Sequence, residues 1–262
     1  MDHSQDIQQL SIDAAAFQAK QDALKDKVIA ITGAGDGIGK VAALSCAAHG
    51  ATVILLGRTI PKLEQVYDEI EAAGYPQAAI FPINLEGAVE KDYNDMADAI
   101  HSEFGRLDGL LHNAAQLGPQ TPLSNYEIDV WLKLMQVNVN AGFLMTKALM
   151  PLLEKADNAS VVFTSSSVGR KGRAYWGAYA VSKAAVENMV QVFADEMDGI
   201  NNVRMNCINP GATRTQMRAS AYPSENPATL KTPADIMPSY LYLLSDESVK
   251  LNGVSIDAQV KK

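Results

Sequence analysis

Short apolar runs alternate six times along the chain with stretches of helical character, and few residues separate them. KVIAIT (27–32), ATVILLG (51–57), AAIFPINL (78–85), LDGLLHNAA (107–115), SVVFTSS (160–166) and VRMNCINPG (203–211) are the runs, and a short one near VSIDA (254–258) closes the series. The stretches 40–50, 61–74, 93–105, 128–156, 179–197 and 232–246 predict helices, the first ending at Gly50, a C-cap signal. Runs without polar alternation belong to strands covered on both faces. Right-handed crossovers through the helices then give an α/β doubly wound parallel sheet with helices on both faces. No linker divides the chain, so residues 27–262 are expected to form one domain after a peripheral arm, 1–26, that is helical or partly disordered. Residues 212–232, with Pro223 and Pro227, have no periodic pattern and are long for a loop in such a fold, which predicts a lid.

Composition removes several functions. A chain of 262 residues buries a full core, and a net charge of −8 is the wrong balance for a nucleic-acid binder. Cys46 and Cys207 are far apart, and His3, His49, His101 and His112 show no metal-ligand spacing, so neither a disulfide framework nor a metal site is expected. No apolar run approaches the ~20 residues of a bilayer span. The polar N-terminus lacks the pattern of a secretory signal, so a cytoplasmic protein with no membrane partner is expected.

Between the first strand and the first helix lies TGAGDGIG (32–39). Gly33, Gly37 and Gly39 let the backbone turn tightly and approach a pyrophosphate, while the helix N-terminus offers free N–H groups and the positive end of its dipole. The spacing is GxxxGxG, and its place after a buried strand predicts dinucleotide binding. The second strand ends LLGRT, where the adenosine ribose would sit. A carboxylate there suits a free 2′-hydroxyl, but Arg58, with Thr59 beside it, suits a 2′-phosphate. That favours NADP(H) over NAD(H).

AYWGAYAVSKAA (174–185) places Tyr179 four residues before Lys183 among small side chains. The spacing alone is weak, because a chain of this size gives roughly one accidental match in every two sequences. On a helix, however, the pair shares one face. An ammonium near a phenol favours phenolate, so Lys183 is expected to lower the Tyr179 pKa and fit it for trading a proton with a carbonyl oxygen.

These segments resemble the short-chain dehydrogenases/reductases over about residues 27–258. TGAGDGIG matches the family's TGxxxGxG, YAVSK its YxASK, and INPGATRT its NPGxxxT segment; FTSSSVG and MQVNVNAG match the segments carrying its serine and asparagine. In finer detail, SSSVGRKGRAYWGAY and NPGATRTQMRASAYP resemble a bacterial YciK-like branch. The resemblance implies a Rossmann-like fold and a catalytic set of Asn138, Ser166, Tyr179 and Lys183. Tyr179 would be the proton donor or acceptor, and Lys183 would hold the nicotinamide ribose. Ser166, thirteen residues before the tyrosine, would bind the substrate oxygen, and Asn138, rather than Asn140, would anchor a water relay. Coenzyme contacts implied in the same way are Gly33, Gly37, Ile38, Gly39, Arg58, Asn84, Leu85, Asn113, Tyr179, Lys183, Pro210, Gly211, Thr213 and Thr215. Two positions depart from the family pattern: Ala115 replaces a glycine, and Asn84–Leu85 stand where an aspartate is common.

The implied reaction is hydride transfer between NADP(H) and a small-molecule carbonyl or secondary alcohol. The tyrosine–lysine spacing disfavours the enoyl-reductase variant of the family. A different class, a dinucleotide-binding sensor or regulatory subunit without turnover, shares the glycine loop but has no need of Ser166, Tyr179 and Lys183 together. Substrate contacts are expected from Gln116, Leu117, Val168, the RKGRAYW segment and the lid. Arg170, Lys171, Arg173, Arg214 and Arg218 are candidates for an anionic substrate group, with surface solvation or subunit contacts as the plainer reading. The resemblance further implies a homodimer or homotetramer built on the helices carrying Asn138 and Tyr179.

Overall fold

The computed structural model describes residues 3–260; the first two residues of the expected arm and the last two of the expected domain lie outside the described residues. Seven strands form one parallel sheet in the order β3-β2-β1-β4-β5-β6-β7. They are β1 (Val28–Thr32), β2 (Thr52–Gly57), β3 (Ala79–Pro82), β4 (Gly109–His112), β5 (Ala159–Thr164), β6 (Val203–Asn209) and β7 (Ser255–Asp257). The expected doubly wound sheet is therefore present, and its strand order reverses between β1 and β4, where a crevice opens at the strands' carboxyl ends.

Each strand feeds the core on both sides. In β1, Ile29 and Ile31 join the apolar cluster on one face, while Val28 and Ala30 join the cluster on the other, as the two-residue period of a strand requires. The first face is covered by α2 (Gly37–Ala48), α3 (Ile60–Ala72) and α10 (Met237–Leu244), and the second by α4 (Glu90–Phe104), α6 (Ala141–Leu153) and α8 (Gly177–Met197). Cys46 and Cys207 are buried free thiols. No helix among the described residues is long and apolar enough to cross a membrane, and no cluster of His, Cys, Asp or Glu among them is arranged to hold a metal ion.

Two segments differ from the expectation in a way that bears on function, and the arm takes the helical form of its expectation. The arm contains α1 (His3–Ala15), which lies against β7 and α10: Ala14 is buried, and Asp257 donates its backbone N–H to Ser11 Oγ at 3.0 Å. The stretch 128–156 is not one α-helix. It is α5 (Ile128–Met135), a π-helical turn over Gln136–Asn140, and α6. Such turns recur at functional sites, and this one contains Asn138. The segment 212–232 is not structureless either. It holds α9 (Gln216–Ala221) and a 3-10 turn at Pro227–Thr229, and Thr213 pairs with Lys231 across its base.

Candidate active site

At the carboxyl ends of β1, β2, β4, β5 and β6 the sheet opens into a cleft of about 570 Å³. Thr32 fixes its floor. The hydroxyl accepts from the backbone N–H groups of Asn113 (2.9 Å) and Ala114 (3.0 Å), tying the end of β1 to the loop after β4. Of the expected coenzyme residues, Gly33, Gly37, Ile38, Arg58, Asn84, Leu85, Asn113, Tyr179, Lys183, Pro210, Gly211, Thr213 and Thr215 all line this cleft. Gly39 does not line it. It packs behind the loop, where a Cβ would lie 2.2 Å from the Gly33 carbonyl oxygen, so glycine is required for the loop to close on α2. Asp36 caps α2, its carboxylate accepting from the Gly37 N–H at 2.7 Å, and no acidic residue follows in the first turn.

Sequence reasoning missed the partner of that cap. Lys62, near the start of α3, donates to Asp36 at 2.5 Å, and both line the cleft beside Arg58 and Thr59. The signal was the charge pair across two different elements, which no local pattern reveals. Asn84 Oδ1 accepts from the Glu86 N–H at 3.3 Å, so the amide that stands in for the usual carboxylate turns back on its own loop.

The other end of the cleft holds Ser166, Tyr179 and Lys183. Ser166 follows β5 and caps α7 (Ser167–Arg170), and α8 carries Tyr179 and Lys183 on one face. The Lys183 ammonium lies 5.6 Å from the centroid of the Tyr179 ring and donates to the Thr164 carbonyl at 2.7 Å. Both side chains are buried. Burial lowers the Lys183 pKa to about 8, with Cys207 and Glu187 acting in the opposite direction. Burial pushes the Tyr179 phenol up to about 12, and the Ser166 hydroxyl opposes the shift. This corrects the expectation that Lys183 would make the phenol acidic. Desolvation of the ring favours the neutral phenol, so at neutral pH Tyr179 holds its proton.

Asn138 sits just outside the cleft, on the wall of a small internal cavity shared with His112, Thr164 and Lys183. Its side chain accepts from the Gln116 N–H at 2.7 Å and donates to the Gln116 carbonyl (2.9 Å) and Ser182 Oγ (3.0 Å). Both amide hydrogens are thus spent within the protein. The side chain thereby pins the loop after β4 to the helix that carries Lys183. Asn140 instead bonds Gln136 at 3.0 Å on the surface.

His112 is a buried group beside the site that sequence reasoning assigned no role. Its Nε2 lies 2.9 Å from Thr146 Oγ1, and its ring stacks on Phe163 at 4.1 Å. Burial, reinforced by the Lys183 charge, pushes its pKa down to about 3. Between its ordinary value of 6.5 and that value, the unfolded chain binds more protons than the folded one, so stability falls as pH falls through this window. His112→Asn is expected to remove that part of the acid sensitivity. Urea unfolding at about pH 7 and about pH 4 checks it, with the wild type losing about 3 kcal/mol more than the variant. Equal losses would mean that His112 takes up its proton in the folded state.

Comparisons with known proteins agree with this geometry. The family model described as short chain dehydrogenase matches residues 27–226. The uncharacterised oxidoreductase YciK of Escherichia coli strain K12 is 54% identical over 243 residues, covering 93% of this chain and 96% of that protein. A crystal structure of an Escherichia coli CFT073 chain assigned to the short-chain dehydrogenases, in complex with NADPH, superposes with a TM-score of 0.89 at 54% identity, covering 92% of this chain and 99% of that one. The 3-oxoacyl-[acyl-carrier-protein] reductase FabG of Thermotoga maritima is 31% identical over 88% of this chain and 95% of its own length. On this evidence, a parallel seven-stranded sheet with a glycine loop and a Ser166–Tyr179–Lys183 cluster at its carboxyl edge, the chain belongs to the short-chain dehydrogenase family.

Proposed function

We propose that the protein is an NADP(H)-dependent oxidoreductase that moves hydride between the nicotinamide and the carbon of a carbonyl or secondary alcohol. One observation carries this reading: Ser166, Tyr179 and Lys183 share a cleft with the glycine loop and Arg58. Features of the cleft fit the coenzyme. The first turn of α2 has no acidic side chain, the loop closes tightly through Gly39, and Arg58 and Lys62 bring two cations to the adenosine end. The NADPH held by the Escherichia coli CFT073 relative supports the same choice of coenzyme.

When bound, the nicotinamide supplies or accepts the hydride. In reduction, Tyr179 gives its proton to the oxygen on which negative charge grows, and Ser166 donates a second hydrogen bond there. The retained phenol proton suits that direction, because a donor must be protonated at the working pH. Lys183 stabilises the phenolate left behind, and Asn138 acts as a positioning residue for Lys183 and the Gln116 loop. Loss of NADPH absorbance across a panel of carbonyl compounds tests the proposal. Carbonyl-dependent NADPH consumption is expected; tight NADPH binding with no consumption would favour the sensor reading.

The proposal includes self-association through α5, α6 and α8. Leu132, Phe143, Val181 and Val192 are exposed on these helices, whereas Met189, Phe193 and Met197 of the same α8 stripe pack against the core. Sedimentation as two or four chains is expected, and a monomer at micromolar concentration would contradict it.

A further inference from the structure

Four of the five cations near the substrate end are engaged within the protein itself, and the fifth, Lys171, is exposed and does not line the cleft. Arg170 turns away to the sheet edge, with Nη1 on Asp257 at 2.8 Å, Nη2 on Ser255 Oγ at 2.7 Å, and Glu187 3.6 Å from Nε. The Arg214 guanidinium donates to the main-chain carbonyls of Pro227 (2.7 Å), Ala228 (3.4 Å) and Leu230 (3.3 Å). Arg173 donates to the Tyr222 hydroxyl at 3.4 Å. Of the five basic residues considered for an anionic substrate, only Arg218 lines the cleft. It is clamped by both Glu225 oxygens, each at 2.6 Å, and stacks on the Tyr222 ring with its guanidinium carbon 3.8 Å from the centroid. Its charge is thus already balanced by Glu225.

What surrounds the reacting end is apolar. Leu117, Trp176 and Met217 line the cleft there and pack with Tyr179 and Val168 in one hydrophobic cluster. The Trp176 ring sits 5.7 Å from that of Tyr179 and 6.0 Å from that of Tyr222, tilted to both. An indole so placed offers a ring-shaped substrate an aromatic partner next to the proton donor. A charged group here would lose its water, and the arginine that lines this end is already paired with Glu225.

We propose that the substrate is an uncharged carbonyl compound, or the matching secondary alcohol, with an apolar ring beside the reacting carbon, held against Trp176 between Leu117 and Met217. This deepens the oxidoreductase reading and rests on it. The test pairs acetophenone with 4-acetylbenzoate, which adds one carboxylate to the same ring. Calorimetry on the protein loaded with NADP+ measures binding without turnover, and kcat/KM with NADPH follows. Acetophenone is expected to lead by roughly tenfold or more in both measurements. Trp176→Ala should lower kcat/KM for acetophenone roughly tenfold more than for butanone, and Trp176→Phe should restore most of the loss. Equal or better use of 4-acetylbenzoate, no binding of either ring compound, or a Trp176→Ala loss equal for acetophenone and butanone would overturn the proposal. Ring-selective binding without NADPH consumption would instead sink the oxidoreductase reading and leave the pocket's preference standing.

Discussion

Replacing Tyr179 with Phe is expected to cut turnover by roughly 10²–10⁴-fold while coenzyme binding changes little. The substitution removes one oxygen and keeps the ring, so packing against Trp176 is preserved. What disappears is the proton that burial holds on the phenol, whose pKa stands at about 12. Without it, the oxygen that gains charge keeps only the Ser166 hydrogen bond. Lys183 does not replace the donor: one of its N–H groups is on the Thr164 carbonyl, and its expected partner in the cleft is the nicotinamide ribose. Steady-state kinetics with NADPH and a titration of NADPH binding check the two halves of this expectation. A variant retaining more than a tenth of the wild-type kcat would remove Tyr179 from the role of proton donor.

Arg58→Asp is expected to invert coenzyme preference. A charge-assisted hydrogen bond to a phosphate is worth roughly 1.5–3 kcal/mol, so its loss lowers kcat/KM for NADPH by about ten- to hundredfold. The introduced carboxylate adds repulsion to a 2′-phosphate and an acceptor for a 2′-hydroxyl, which helps NADH. Lys62 limits the change only in part. It is already paired with Asp36 at 2.5 Å, and a second carboxylate nearby gives it one more competitor to the phosphate. The ratio of kcat/KM for the two coenzymes is the measurement; an unchanged ratio would show that Arg58 is solvated and takes no part in recognition.

The parts of this account that were legible in the sequence are those set by local chemistry. Continuous apolar strands and their helices fixed the sheet, because burial on both faces leaves a pattern in each run. The glycine loop was legible because close approach excludes every side chain, as the Gly39 geometry shows. One helical turn put Tyr179 and Lys183 on one face, but the resemblance of several ordered segments was needed to single them out. What escaped was set by distant residues meeting. The turn at Asn138 is helical by composition and becomes a π turn among tertiary contacts: Asn138 reaches Gln116 and Ser182. The Asp36–Lys62 pair joins residues 26 positions apart. The segment 212–232 has no periodic signal because α9 has only six residues. The sequence reveals the charge near the phenol but not the burial that favours its neutral form.

If one cleft binds NADP(H) with its reactive end at Ser166, Tyr179 and Lys183, a crystal structure of the protein with NADP+ will show it. The nicotinamide is expected beside the Tyr179 hydroxyl, the Lys183 ammonium on the adjoining ribose, and the 2′-phosphate between Arg58 and Lys62. A coenzyme bound outside this cleft or reversed within it, or a Tyr179 hydroxyl turned away from the nicotinamide, would contradict it.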